Sequence, residues 1–284
     1  MTPTGTVDTT PTTILVLGGN GFIGKHIVAA LHKTTATVIV GTTGQDSLRP
    51  FERRIHFQDM LNKQSWLDVI TGIDVIVNAV GILRETPDQS FEAVHHHAVK
   101  ALAEACHEQR TKLIHISAIG LHEALKAPFS ASKRKGELAI IHSGADWQII
   151  RASLVEGDGA YGAGWFKKIA QWPVHFIPAK NALLSPVNVQ SIAAQVVSLL
   201  SAKTSNAAIY HRIYEISDGI QYTLPEYLVA LNGGRRRPIV TVPDVFVRFV
   251  TRCCDLLNVT PLTYGHYELL TYDSSPSLYT DAIE

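Results

Sequence analysis

Residues 14–24 read ILVLGGNGFIG, a short apolar run that breaks into glycines at Gly18, Gly21 and Gly24. A helical pattern follows over 22–33, so the predicted order is strand, glycine turn and helix. In that context the three glycines permit a tight turn, close approach of the backbone to a phosphate, and close packing of helix on strand. Backbone N–H groups at the start of the helix then favour a pyrophosphate. The alternative is an ordinary tight turn, but the flanking strand and helix favour nucleotide binding.

The first half of the chain alternates between strand and helix patterns. Strand-like runs occupy 14–17, 37–41, 54–57, 73–79, 112–117 and 147–151, and helical patterns occupy 22–33, 63–71, 90–109 and 130–143. Such alternation predicts parallel strands joined by crossover helices, hence a doubly wound α/β sheet. Because ligands on these sheets bind beyond the carboxyl ends of the strands, we expect site residues directly after each strand.

The pattern changes after residue 155. Four glycines in 156–164 predict a loop. It is followed by predicted helices at 165–171, 189–202, 224–232 and 243–257, a proline-bounded stretch at 173–186 and a strand at 213–216. We therefore predict one domain over 13–272, with a small C-terminal lobe built from about 157–180 and 218–272. A disordered tail at 1–12 and a polar tail at 273–284 are expected to flank it.

The composition limits the class of protein. The chain has 284 residues, of which 46% are hydrophobic and 18% charged, and its formal net charge is zero. Balanced charge gives no electrostatic argument for binding nucleic acid. Three cysteines form no disulfide framework and fit the cytoplasm or another reducing compartment. The polar residues 1–13 resemble neither a secretory signal nor a transit peptide, and no apolar run has the length of a membrane span.

The end of the second strand bears on the choice of cofactor. An NAD-binding turn usually places an acid there for the ribose hydroxyls, but 40–45 reads VGTTGQ and the first acid is Asp46. The candidate partners of a 2′-phosphate are Thr42, Thr43, Arg49, Arg53 and Arg54. This pattern favours NADP(H) over NAD(H). The alternative is a simple turn followed by solvated arginines.

Several motifs together resemble the short-chain dehydrogenase/reductase superfamily, in its extended and atypical branches. They are GGNGFIG at 18–24, Asp59, NAVG at 78–81, Ser117, Lys133, and RASLV at 151–155, where the family has an Arg-Pro-Ser loop. The resemblance covers about 13–272. Residues 78–85 and 91–98 are most similar to the branch that contains the nucleotide-binding accessory subunit of respiratory complex I and bacterial NAD(P)-binding, epimerase-like proteins.

The resemblance implies a Rossmann-type fold and a set of dinucleotide contacts. These are Gly18, Asn20, Gly21, Phe22, Ile23, Gly24, Thr42, Thr43, Asp59, Ala79, Val80, Gly81, Ser117, Lys133 and Ser153. In active members of the superfamily, a tyrosine stands four residues before the lysine. The lysine lowers the pKa of the tyrosine phenol, and the serine positions a substrate carbonyl. Here Phe129 takes the place of that tyrosine, so of the catalytic set only Ser117 and Lys133 remain.

Three functions therefore stay open. The first is an atypical NAD(P)(H)-binding protein without the phenolic proton donor. The second is an active NADP-dependent reductase or epimerase-like enzyme acting on an unknown small molecule. The third is a non-catalytic accessory subunit of a membrane respiratory complex.

Two further segments carry hypotheses. Three consecutive histidines, 95–97, point in different directions on a helix, so we expect no metal site and assign His95 to packing with Phe91.

Residues 243–257 predict a helix with a wide apolar arc flanked by arginines. We favour a lobe helix whose arc is covered within the domain. The alternative leaves Phe246 or Phe249 exposed as a contact for an anionic membrane or a partner subunit.

Overall fold

The computed structural model describes residues 11–44, 48–178, 183–201, 211–257 and 263–271. The predicted tails at 1–12 and 273–284, apart from residues 11 and 12, lie outside these ranges, as does Asp46. The strands are β1 (Thr13–Leu17), β2 (Thr37–Thr42), β3 (Glu52–Arg54), β4 (Val75–Asn78), β5 (Lys112–Ala118), β6 (Trp147–Ala152), β7 (Val155–Glu156), β8 (His175–Pro178), β9 (Val187–Asn188), β10 (Arg212–Ile216) and β11 (Ile239–Val242).

The helices complete the description. They are α1 (Phe22–Leu31), α2 (Lys63–Ile70), α3 (Ala98–Gln109), α4 (Pro128–Ile141), α5 (Tyr161–Ala170), α6 (Val189–Ser201), α7 (Leu224–Leu231), α8 (Asp244–Leu257) and α9 (Tyr264–Leu270). A π-helical segment, Glu92–His97, runs directly into α3, and a 3₁₀ turn occupies Phe57–Asp59.

Seven strands form the central sheet in the order β3–β2–β1–β4–β5–β6–β10, and every neighbouring pair is parallel. The predicted doubly wound α/β sheet is confirmed. From β1 the chain builds the sheet outward in one direction and then returns to β4 on the other side. Such a reversal opens a crevice beyond the carboxyl ends of β1 and β4, where ligands bind in this architecture.

Alternate side chains of β1 enter two different cores. Leu15 and Leu17 pack with Trp66 and Leu102 on the face covered by α2, α3 and α4. Ile14 and Val16 pack with residues of α1 and α6, such as Ile27, on the other face. The continuous apolar run of β1 is explained by burial on both faces.

Helix α4 and the π-helical segment approach each other very closely. A Cβ atom added at Gly136 would lie 2.0 Å from the carbonyl oxygen of His95. Only glycine is compatible with this separation. The contact brings the start of α4, which carries Phe129 and Lys133, against the loop that follows β4.

The lobe contains its own small core, in which Phe166, Tyr227 and Leu228 are buried together. Strands β8 and β11 pair in parallel beside it, and β7 pairs with β9. The predicted loop at 156–164 is too long, because α5 begins at Tyr161 and includes two of the four glycines. Burial of Phe166 and Ile169 offsets the poor helix propensity of glycine in this helix.

Four further elements differ from the prediction. The third strand ends at Arg54, because Ile55 and Phe57, which extended the apolar pattern to 57, are buried in the core beyond the strand. Strand β8 lies within the proline-bounded stretch. Strand β11 and helix α9 were not predicted.

Candidate dinucleotide site

The glycine turn between β1 and α1 has the conformation that the sequence predicts. Gly18 adopts a positive φ of 71°, and a Cβ atom added at Gly24 would lie 2.1 Å from the Gly18 carbonyl oxygen. Gly21 is the N-cap of α1 and has no side chain to accept from the first N–H groups of the helix. Those groups and the positive end of the helix dipole favour an anion.

A cleft of about 240 Å³ lies in front of this turn. It brings together eight of the predicted contacts, namely Gly18, Asn20, Gly21, Thr42, Thr43, Ala79, Val80 and Gly81. Phe57 and Gln58 also line it. Asp59 is not among its lining residues, and it lies at the end of the 3₁₀ turn. Gln58, like Asp59, comes just after the third predicted strand. The same position could therefore have indicated Gln58, which was not predicted as a site residue.

The end of β2 has the hydrogen bonds of an ordered turn. The Thr42 hydroxyl oxygen accepts from the Asn20 amide at 3.0 Å and from the Gly44 N–H at 3.1 Å. Arg54 donates through Nε to the Gly44 carbonyl at 3.1 Å and so lies at this turn. Arg53 instead donates to the Val69 carbonyl at the end of α2, at 2.8 Å. Of the predicted 2′-phosphate partners, Arg54 is therefore the cation held next to Thr42.

Gly81, which lines the cleft, lies close to Lys133 and His95. A Cβ atom at Gly81 would lie 3.6 Å from Lys133 Nζ and 3.8 Å from His95 Nε2. Lys133 is half-buried. Burial lowers the pKa of its ammonium group to about 8, although the nearby Glu137 carboxylate opposes this shift.

Ser117 lies near the end of β5 with its side chain buried. Its hydroxyl has no hydrogen-bond partner among the described residues. A buried hydroxyl without a partner is uncommon and requires an explanation, such as a ligand. Together with the glycine turn, which a Cβ atom would block, this orphaned hydroxyl fits a dinucleotide with a polar end near Lys133.

Two buried histidines support the floor of the site. His115 precedes Ser117 on the same face of β5, and its Nδ1 lies 3.1 Å from the Asn78 amide nitrogen. The Asn78 carbonyl oxygen accepts from the Val80 N–H at 3.0 Å, which fixes the loop after β4. Burial, with a smaller contribution from the Lys133 charge, lowers the pKa of His115 to about 3, so this imidazole is neutral.

His95 is both a packing residue and a hydrogen-bonding residue. Its Nε2 accepts from the Ile82 N–H at 3.1 Å. Its Nδ1 lies 3.2 Å from the Ser132 hydroxyl oxygen, and that hydroxyl donates to the Phe129 carbonyl at 3.0 Å. Nδ1 therefore carries the proton of a neutral imidazole. Burial and the charge of Lys133 hold the pKa of His95 well below its ordinary value.

Phe129 occupies an aromatic cage. Its ring lies 5.6 Å from that of Phe91, 5.5 Å from His95 and 5.5 Å from His266, measured between centroids. Lys133 Nζ lies 5.9 Å from the centroid of the Phe129 ring. The ring therefore takes the place beside the lysine that the resemblance gives to a phenol, and it supplies no hydroxyl group.

Two long-range contacts hold α4 and β6 in place. The Glu268 carboxylate of α9 accepts from the N–H groups of Lys126 and Ala127 at 3.2 and 2.8 Å, and so caps the start of α4. Arg151, in the RASLV stretch, pairs with Glu137 of α4 at 2.6 Å and with Glu215 of β10 at 3.3 Å. Neither contact was predicted.

The comparisons with known proteins agree with this geometry. The family model described as "NAD dependent epimerase/dehydratase family" matches residues 14–179, which include the glycine turn, the loop after β4 and Lys133. The match covers more than half of the chain. The chain belongs to the NAD dependent epimerase/dehydratase family.

Two relatives and one solved structure show what the chain is similar to. The chain is 24% identical over 281 residues to a ceramide reductase from Caulobacter vibrioides, covering 93% of this chain and 86% of that protein. It is 24% identical over 257 residues to subunit 9 of the NADH dehydrogenase [ubiquinone] 1 alpha subcomplex from Dictyostelium discoideum, covering 86% and 70%. The fold matches a dTDP-4-dehydrorhamnose reductase from Bacillus anthracis in complex with NADP, with a TM-score of 0.65, 12% identity and coverage of 92% and 98%.

Membership of the NAD dependent epimerase/dehydratase family supports dinucleotide binding. Among the described residues, no helix combines the length and the apolarity that crossing a membrane requires.

The other predicted contacts lie outside the cleft. Phe22, Ile23 and Ser153 line an adjoining apolar cavity, together with Phe129. Gly24 packs against Gly18. Ser117 and Lys133 are not among the lining residues of the cleft, although Lys133 Nζ lies close to Gly81, which lines it.

The histidine segment contains a grouping that the sequence did not indicate. The π-helical turn brings ligand atoms of Glu92, His96 and His97 within 4.8 Å of one another. Lys135 Nζ already lies 2.5 Å from a Glu92 carboxylate oxygen, and His96 Nδ1 lies 3.0 Å from the other. The Lys135 charge opposes a cation at this position, so the cluster is a surface ion-pair network.

The lowered pKa of Lys133 predicts a dependence of stability on pH. Between about 8 and the ordinary value of 10.5, the unfolded chain binds more protons at this side chain than the folded chain. The contribution of Lys133 to the free energy of unfolding therefore rises with pH over this range, by up to about 3 kcal/mol. Lys133→Met removes the charge and should be more stable than wild type near neutral pH.

Urea titrations at a series of pH values between neutral and 10.5 measure this difference. Lys168→Met, which removes an exposed lysine on α5, is the matched control and should keep the wild-type pH dependence. An identical pH dependence in Lys133→Met and wild type would show that Lys133 is not destabilised by burial.

Proposed function

We propose that this protein binds NAD(P)(H) in the cleft and lacks the phenolic proton donor of its active relatives. The observation that carries the proposal is the presence of two features on one cleft. The first is the uncapped start of α1 at Gly21, and the second is Gly81 with Lys133 Nζ beside it. The pyrophosphate would bind at the first, and the nicotinamide ribose at the second. Thr42, Thr43 and Arg54 would contact the adenosine end.

The cleft favours NADPH over NADH in this proposal. No acid lies in the described part of the turn after β2, and Arg54 is held beside Thr42 by its bond to the Gly44 carbonyl. An arginine and hydroxyls at this position attract a 2′-phosphate, whereas an acid would repel it.

We therefore expect NADPH to bind more tightly than NADH in calorimetric titrations. Arg54→Ala should remove most of this difference, whereas Arg53→Ala, which removes a guanidinium that contacts α2 instead, should leave it unchanged. Gly21→Val should abolish binding of both cofactors, because a branched side chain fills the place of the pyrophosphate. Equal affinities in the wild type, or tighter NADH, would contradict the assignment.

The absence of a proton donor is the second part of the proposal. Hydride transfer to a carbonyl leaves an alkoxide, which needs a proton from a nearby acid. Phe129 cannot give one, and both buried imidazoles that support the site are neutral. The protein then acts as a dinucleotide-binding module with little or no turnover.

Purified protein should bind NADPH yet reduce simple carbonyl test compounds only at background rates. Phe129→Tyr places a phenol within the aromatic cage near Lys133 and should give measurable activity, while Phe91→Tyr, in the same cage but away from Lys133, should not. Wild-type turnover at a typical enzymatic rate would favour the second hypothesis, an NADP-dependent reductase or epimerase-like enzyme. In that case His266, which lines the adjoining cavity, would be the candidate proton donor and the first residue to substitute.

A role at a membrane is favoured by α8. The prediction that its apolar arc is fully covered is wrong for Phe246 and Phe249, which are 60% and 66% exposed. Arg248 and Arg252 are exposed on the same helix, and Arg235 and Arg236 are exposed in the segment before β11. Exposed aromatic rings bordered by arginines match an anionic lipid surface. We propose that α8 rests on such a surface in a reducing compartment, where the free cysteines stay reduced.

Flotation with vesicles containing phosphatidylserine tests the contact through α8. Wild type should float at low salt and less at high salt, because counterions screen the arginines. Phe246→Ser with Phe249→Ser should abolish flotation, and Arg248→Gln should weaken it about fivefold. Leu138→Ser, which removes an exposed apolar side chain from α4, is the control. No flotation of wild type would exclude the lipid contact and leave a protein partner for this face.

A further inference from the structure

Two apolar cavities meet at α5, where Trp165 and Phe166 line both of them. The inner cavity, of about 290 Å³, is lined by Phe22, Phe129, Ser153, Gly162 and His266 among others. The outer cavity, of about 280 Å³, lies between α5, α7 and α8 and is lined by Leu228, Phe246, Val247 and Thr251 among others. Each has a volume close to the lower limit for a small-molecule site.

The two cavities share a wall. Trp165, Phe166 and Leu270 line both of them. Three shared side chains make the two cavities immediate neighbours. The inner cavity is next to the cleft along the chain, because Phe22 and Leu83 of its lining follow Gly21 and Ile82 of the cleft lining.

The polar groups in these cavities are few. Among the described residues that line either cavity, none is Asp, Glu, Lys or Arg. Ser153, Tyr161 and His266 line the inner cavity, and Thr251 and Tyr267 line the outer cavity. In the outer cavity the Thr251 hydroxyl donates within its own helix, to the Val247 carbonyl at 2.9 Å. In the inner cavity, Ser153 and His266 share the lining with Phe129, which faces Lys133. A polar group would therefore lie at the cofactor end and an apolar group beyond it.

The outer cavity opens on a face of exposed apolar side chains. Trp172, Phe176 and Phe246 line this cavity and are also exposed to solvent. Phe246 belongs to α8, the helix with the exposed aromatic arc. An apolar cavity that opens among exposed aromatic rings favours a ligand with an extended apolar chain. The polar lining groups of this cavity, such as the hydroxyls of Thr251 and Tyr267, are few, so a compact polar ligand would leave most of its own polar groups without partners.

We propose that these cavities bind an amphiphile with one long apolar chain. Its polar end lies at Ser153 and His266, next to the nicotinamide end of the cleft, and its chain passes Trp165 and Phe166 into the outer cavity. The position of the polar end rests on the proposed dinucleotide site, but binding of the chain does not. The apolar part of this ligand has the chemistry of a fatty acyl chain.

Fluorescence titration with cis-parinaric acid, a long-chain fatty acid that fluoresces in apolar surroundings, tests the proposal. Gly162→Phe directs a phenyl group into the inner cavity, because a Cβ atom there meets Leu154 only at an ordinary contact distance of 3.5 Å. Gly164→Phe is the matched control. Gly164 lies on the same helix, a Cβ atom there would meet no other atom within 4 Å, and the residue lines neither cavity. We expect wild type and Gly164→Phe to bind equally and Gly162→Phe to bind at least tenfold more weakly.

Competition by saturated fatty acids from octanoate to palmitate measures the length of the site. Each added methylene should tighten binding by up to about fourfold while it is buried. Val247→Trp, which narrows the outer cavity, should weaken palmitate and leave octanoate unchanged. Failure of wild type to bind cis-parinaric acid, or equal loss in the two glycine variants, would overturn the proposal. NADPH titrations of the same variants, expected to match wild type, separate this result from failure of the dinucleotide site.

Discussion

Gly136 allows α4 to lie against the carbonyl oxygen of His95 at a separation that any side chain would prevent. The arrangement around Lys133 depends on this contact. It brings Ser132 within hydrogen-bond distance of the His95 ring and sets Lys133 beside Gly81. The other ring nitrogen of His95 holds the Ile82 N–H, so a single neutral imidazole links the loop after β4 to α4. A charged imidazole could not accept that hydrogen bond, and burial keeps the ring neutral.

The chemistry of the site depends on which of the functional groups expected from the family resemblance are present and which are absent. The site keeps a lysine whose charge is poorly solvated, and such a group gains from anionic or hydroxyl-rich ligands. It keeps the Ser117 hydroxyl, which is buried without a protein partner among the described residues. It lacks the phenol, because Phe129 fills the cage formed by Phe91, His95 and His266. In the proposed function, Ser117 and Lys133 would contact the dinucleotide, and Phe129 would leave the site without a phenolic proton donor.

The sequence was sufficient for features that depend on local order. Glycine spacing and strand alternation predicted the sheet and the meeting of Gly18, Thr42 and Gly81 in one cleft. Short-range patterns were insufficient where the structure is decided by distant contacts. The cap on α4 comes from Glu268, 141 positions after Ala127. The start of α5 depends on a lobe core whose members, Phe166 and Leu228, lie on separate helices. The role of His95 appears only when Ile82 and Ser132 are brought to its two nitrogens.

A crystal structure of the protein soaked with NADPH tests the central claim most directly. The pyrophosphate should accept hydrogen bonds from the N–H groups at the start of α1, the nicotinamide ring should lie against Gly81, and a ribose hydroxyl should contact Lys133 Nζ. The 2′-phosphate should lie beside Thr42 and Arg54. NADPH bound at another surface, or a cleft that stays empty at saturating NADPH, would contradict the account.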